Sequence, residues 1–98
     1  MLMANKTMTQ HRSVPQTEPV LVDARGLSCP MPLLKAKVAL NSCQQGEQVR
    51  VLATDAGSVR DFHSFADLSV HSLAKFAEHD EYFEYVLTKG DVSKAGKA

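Results

Sequence analysis

The chain reads as an α+β two-layer sandwich of order βαβαββ, with a four-stranded mixed sheet and two helices on one face. Three observations predict it. Short β-branched runs with alternating polarity mark strands, two apolar patterns of helical period lie between them, and turns bearing Gly or Asp punctuate the order.

The first strand is Val20 to Ala24, opening with Val20-Leu21-Val22 and broken by Gly26. A helix from Pro30 to about Cys43 follows. There Leu33, Ala36, Leu40 and Cys43 recur at spacings of three, four and three and make one apolar face, and Gly46 stands as a stop signal. Glu47 to Thr54 is a half-buried strand, with Val49, Val51 and Ala53 facing one way and Arg50 the other. Asp55 and Gly57 mark a turn. Ser58 with Asp61 three residues on resembles a capping box ahead of Val59, Phe62, Phe65 and Ala66, the second helix. Two strands, Ser72 to Glu78 and Tyr82 to Thr88, join through an acidic turn at Asp80-Glu81, and Phe83, Tyr85 and Leu87 share a face.

Ninety-eight residues, 44% hydrophobic and 22% charged, make one small domain with a modest core. Residues 1–19 lack periodicity, carry Pro15 and Pro19 in a polar context, and read as a flexible arm. Residues 20–90 form the domain, and residues 91–98 read as a frayed tail. Eleven basic and eleven acidic side chains cancel, which argues against direct nucleic-acid binding. Residues 1–19 contain no apolar run long enough for a signal-peptide core or a membrane span, so a cytoplasmic protein is expected. The histidines His11, His63, His71 and His79 form no Cys/His pattern with zinc-ligand spacing, so neither a metal nor another cofactor is expected.

Cys29 stands out chemically. It lies in Gly26-Leu27-Ser28-Cys29-Pro30-Met31-Pro32, at the start of the first helix. A thiol capping that helix meets the positive end of the peptide dipoles, which lowers its pKa and favours the thiolate. Pro30 suits the first helical position, and Pro32 removes a second N–H, so the amides of Met31 and Leu33 are the expected donors to the sulfur. On these residues alone an ordinary buried cysteine beside a proline-started helix is the better reading. Cys43, at the far end of the same helix, is placed roughly 20 Å away at ~1.5 Å per residue, too far for a disulfide. Both cysteines are expected to be free thiols.

The run Val22-Asp23-Ala24-Arg25-Gly26-Leu27-Ser28-Cys29-Pro30-Met31-Pro32 resembles the signature of the TusA/SirA family of small sulfur carriers: an Asp ending the first strand, then Gly-Leu, then Cys-Pro-x-Pro. Thr54-Asp55-Ala56-Gly57-Ser58-Val59-Arg60-Asp61-Phe62 resembles the family's segment leading into its second helix. Two departures stand out. No glycine follows the second helix in Asp67-Leu68-Ser69-Val70-His71, and His63 occupies a place where proline is common.

The resemblance implies the same fold and a sulfur carrier that accepts sulfane sulfur as a persulfide on Cys29. It implies a donor such as a cysteine desulfurase or rhodanese, and a downstream acceptor protein serving tRNA thiolation, molybdenum cofactor or sulfur oxidation. With no second cysteine nearby to resolve it, such a chain is expected to be a courier, a sulfurtransferase component more than a complete enzyme, and a monomer. The competing classes are a thiol redox sensor and a noncovalent regulatory module.

Other residues are weighed around that thiol. Asp23 is expected to orient the loop by accepting backbone N–H bonds, and Gly26 to supply a backbone angle other residues resist. Pro30, Met31, Pro32 and Leu33 shape the turn. Met31, Leu34 and Val38 form a second apolar stripe on the first helix, either a partner-docking surface or part of a wide core face. Arg60 either faces Cys29 or a partner, or pairs with Asp61 or Asp55.

Overall fold

The computed structural model describes residues 18–94. The elements run β1 (Val20–Ala24), α1 (Met31–Asn41), β2 (Gln48–Ala53), α2 (Gly57–Leu68), β3 (Ser72–Glu78) and β4 (Phe83–Thr88), followed by a 3-10 turn at Val92–Lys94. The sheet order is β1-β2-β4-β3. β1 and β2 are parallel, as a helical crossover permits, and the other two pairings are antiparallel.

Register explains the burial pattern. Val22, Val51, Tyr85 and Phe76 pair in one row across the sheet, and Val20, Val49, Leu87 and Leu73 in the next. Because side chains alternate along a strand, these rows present one face. Val49, Val51, Ala53, Tyr85 and Leu87 on it are fully buried in one cluster with Ala36 and Leu40 of α1 and Phe62 of α2. Both helices therefore cover the same face, as the alternation predicted. Each large apolar side chain taken wholly from water there contributes about 1.5–3 kcal/mol.

The first helix ends earlier than expected. α1 stops at Asn41, two residues early, where the amides of Ser42 and Cys43 turn back to the carbonyls of Ala39 and Leu40 at 3.1 and 3.0 Å. Cys43 is consequently half-buried beside the core, its Sγ directed at the Ala39 carbonyl. The buried Lys89 ammonium donates to the Leu40 carbonyl at 2.5 Å, so a cation from the sheet caps the negative end of α1. α2 exits without a left-handed residue: Ser69 is extended (φ −124°, ψ 177°), which leads the chain straight toward β3.

The expected capping box at α2 is not formed. Ala56 occupies the cap position without a side-chain cap bond, Asp55 just before it accepts the Gly57 amide at 3.0 Å, and Ser58 turns inward. The reason is packing: Ser58 Oγ lies 2.8 Å from Tyr85 Oη and donates to the Asp55 carbonyl at 2.7 Å, so it is not available to cap.

The expected arm lies outside the described residues apart from Glu18 and Pro19, as do residues 95–98 of the expected tail. Residues 92–94 form a short turn in which Asp91 Oδ1 accepts both the amide and the hydroxyl of Ser93.

The sheet's opposite face carries an ionic cluster. Glu84 accepts from Arg50 Nε and His79 Nε2, each at 2.8 Å, with Lys75 Nζ at 3.6 Å. The His79 and Arg50 hydrogen bonds hold the Glu84 carboxyl at about 2, against an ordinary value of 4.5. A depressed folded-state pKa contributes stability that is full above 4.5 and is lost as the pH falls toward 2. Glu84→Gln is therefore expected to flatten the decline of stability across that acid window, measured as unfolding midpoints in denaturant from pH 5 downward.

Candidate functional site

Cys29 sits where the loop after β1 meets the first turns of both helices. The loop is held from two sides. Gly26 adopts φ +85°, a left-handed value that a side chain resists, and its amide donates to Thr54 Oγ1 at the end of β2 (2.9 Å). The Leu27 amide returns to the Ala24 carbonyl at 3.2 Å. Asp23 accepts one backbone N–H, from Arg25 at 3.2 Å, and the Arg25 guanidinium in a two-pronged contact at 2.8 Å to each oxygen. That contact holds the Asp23 carboxyl down at about 2.

The thiol does not cap α1. Pro30 occupies the cap position, the Cys29–Pro30 peptide is cis, and the helix begins at Met31. The Met31 amide, expected to face the sulfur, instead donates to the Ser28 carbonyl at 2.8 Å. Pro32 is buried, Leu33 packs against the core, and neither proline offers an N–H.

Cys29 Sγ points instead to α2, donating to Asp61 Oδ2 at 2.6 Å. This reverses the expected electrostatics. The hydrogen bond to Asp61 raises the Cys29 pKa above its ordinary value, with desolvation and the negative charges of Asp61 and Asp55 adding, and Arg60 opposing. The resting thiol is held protonated. Arg60 is exposed and makes no ion pair with Asp61 or Asp55, so its bearing on the site is its positive charge.

Gly57, at the start of α2, completes the seat. A Cβ there would lie 3.3 Å from Cys29 Cβ, 3.6 Å from Sγ and 2.9 Å from Asp55 Oδ2, so the bare backbone lets α2 approach the thiol. Thr54, Asp55, Gly57 and Asp61 were not singled out as site residues from the sequence. All four lie in the second motif-like stretch, and Asp61 was assigned to a local cap. Only the tertiary fold brings it to Cys29.

The second stripe of α1 is exposed: Met31 at 42%, Leu34 at 44% and Val38 at 67%. With Leu21 of the edge strand β1 these side chains line an open groove that starts beside the Cys29 turn. The wide-core alternative is thereby excluded. Cys29 is exposed and free, and Cys43, free and half-buried, lies beyond the opposite end of α1. Among the described residues no three His, Cys, Asp or Glu side chains gather as metal ligands, and no helix is long and apolar enough to cross a membrane.

A family profile described as sulfurtransferase TusA matches residues 20–89. The chain belongs to the TusA family. It is 41% identical over 68 residues to the sulfur carrier protein TusA of Allochromatium vinosum, spanning 69% of this chain and 90% of that one. It is 44% identical over 66 residues to a putative sulfur carrier protein of Neisseria meningitidis serogroup A, spanning 67% and 89% respectively. The crystal structure of a SirA-like protein from Desulfitobacterium hafniense matches with a TM-score of 0.64 at 27% identity, covering 74% of this chain and 99% of that one. The mixed sheet and paired helices described above are thus the TusA/SirA architecture.

Gly26 gives a direct test of how the TusA-family loop is held. A Cβ would meet nothing within 4 Å, so Gly26→Ala is penalised by backbone conformation alone. It is expected to cost about 1 kcal/mol, with Gly26→Asn costing less, measured by equilibrium denaturation.

Proposed function

We propose that this chain is a cytoplasmic sulfur carrier that takes a sulfane sulfur onto Cys29 as a persulfide and passes it to a partner protein. The observation that carries this reading is the placement of Cys29: a free, exposed thiol in the family's Cys-Pro-x-Pro turn, flanked by an open apolar groove. In loading, Sγ attacks the outer sulfur of a donor persulfide. The new S–S bond forms as the donor's S–S bond breaks, and the donor's inner sulfur leaves with the electron pair, as in thiol–disulfide exchange. No net oxidation or reduction occurs, and no cofactor enters the step.

Cys43 does not serve as a resolving thiol, because the whole of α1 separates it from Cys29. The sulfur leaves only through a second protein, so the chain works as a component of a relay. A cysteine desulfurase or rhodanese fits the donor's chemistry, and any acceptor with an accessible thiol fits the other end. The redox-sensor alternative uses the same thiol, and peroxide reactivity of Cys29 with no gain of sulfur from a competent donor would favour it. Asp23, Gly26 and the Pro30–Leu33 turn set the thiol's position in this reading. Met31, Leu34, Val38 and Arg60 face partners.

Incubation with a cysteine desulfurase and free cysteine is expected to add the mass of one sulfur atom, reversible by reductant, to the wild type and to Cys43→Ala but not to Cys29→Ser. Sulfur retained by Cys29→Ser refutes the reading. Leu34→Ser combined with Val38→Ser is expected to slow loading from the desulfurase roughly tenfold, the effect of one lost apolar anchor. Loading from a small-molecule persulfide and the thermal midpoint should not change. Equal desulfurase rates would remove the stripe from the docking surface.

A further inference from the structure

We propose that Asp61 is the proton acceptor for Cys29 and thus a catalytic residue of sulfur exchange. The proposal rests on the carrier reading above and assigns the proton that reading leaves unplaced. Asp61 Oδ2 is the group that receives the Sγ–H, at 2.6 Å, and it touches the reacting atom. The carboxylate makes no other hydrogen bond or ion pair among the described residues, so its basicity is directed at the thiol. Asp55, the nearest rival, already accepts the Gly57 amide in the turn before α2. The charged groups acting on Sγ are Asp61, Asp55 and Arg60, all from α2 and the turn before it.

The step balances without an added reagent. As Sγ bonds to the donor's outer sulfur, its proton passes to Asp61 Oδ2, the donor's S–S bond breaks, and the inner sulfur leaves as a thiolate that then takes the proton from Asp61. Delivery is the reverse. An acceptor thiol gives its proton to Asp61, its sulfur attacks the outer sulfur, and Cys29 Sγ leaves with the electron pair and recovers the proton. Asp61 thus reconciles a resting thiol held protonated with a reaction that needs the sulfur's free electron pair.

A bystander carboxylate and a proton acceptor predict opposite outcomes for Asp61→Asn. In a Cys43→Ala background, both chains are followed by iodoacetamide alkylation against pH, which reports thiolate alone, and by sulfur loading from glutathione persulfide at neutral pH, read by intact mass. The substitution removes the charge that holds the proton, so the alkylation midpoint is expected to fall to lower pH, while loading slows roughly tenfold or more. Asp61→Glu, which keeps a carboxylate, is expected to load faster than Asp61→Asn, and serves if the amide variant fails to fold. Loading that rises with alkylation, or is unchanged, overturns the assignment. If the parent chain gains no sulfur on Cys29, the carrier reading itself fails.

Discussion

The site depends on the way Tyr85 anchors α2 to the sheet. Its ring stacks on Phe62 at a centroid distance of 4.1 Å and 11° between planes, and its hydroxyl lies 2.8 Å from Ser58 Oγ, all three side chains being fully or almost fully buried. One apolar and one polar contact, a turn apart on α2, fix both the depth and the rotation of that helix. Ser58 follows Gly57 and Phe62 follows Asp61 in the chain. The same contacts therefore set the bare backbone of Gly57 against Cys29 and bring the Asp61 carboxylate to its sulfur. A thiol on a loop, where mobility is the default, acquires a fixed partner because that partner is attached to the core.

Two opposing electrostatic effects meet at Cys29, and distance decides between them. The positive end of a helix dipole acts over the first turn and fades quickly beyond it. Cys29 lies outside α1, behind Pro30, in a turn where one helical amide is already given to Ser28 and two others are absent from the prolines. The Asp61 carboxylate, by contrast, carries a full charge and sits at hydrogen-bonding distance. The direct contact prevails, and the thiol is raised where a capping thiol would be lowered. Arg60 moderates this from the surface without cancelling it.

Local signals in the sequence were enough for the fold. Alternation of Val49, Val51 and Ala53 and of Phe83, Tyr85 and Leu87 fixes which face of the sheet is covered, because strand periodicity leaves no second solution once one face is apolar. The Gly-Leu-Ser-Cys-Pro-Met-Pro run marked Cys29, which the fold leaves free and exposed, and the spacing of Met31, Leu34 and Val38 marked an apolar stripe that is exposed. The reading did not extend to Asp61. Its partner is 32 positions away, and an acid in the first turns of a helix has a sufficient local explanation in the dipole and a capping box. Ser58 was misassigned for the same reason. A hydroxyl before a helix reads as a cap unless the phenol it serves, Tyr85 on another strand, is already in place.

The Cys29–Asp61 contact also distinguishes the two states a carrier must occupy. The hydrogen bond needs the proton on Sγ, and a persulfide has replaced that proton with sulfur. Under the proposed chemistry, loading therefore removes the Sγ–H donor on which the bond to Asp61 depends. Gly57 walls one side of Sγ, since a Cβ there would stand only 3.6 Å from it. Met31, two residues on from Cys29, lines the apolar groove with Leu34 and Val38. In the carrier cycle proposed above, the empty chain holds a thiol bonded to Asp61 of α2, and the loaded chain has lost the Sγ–H that makes that bond.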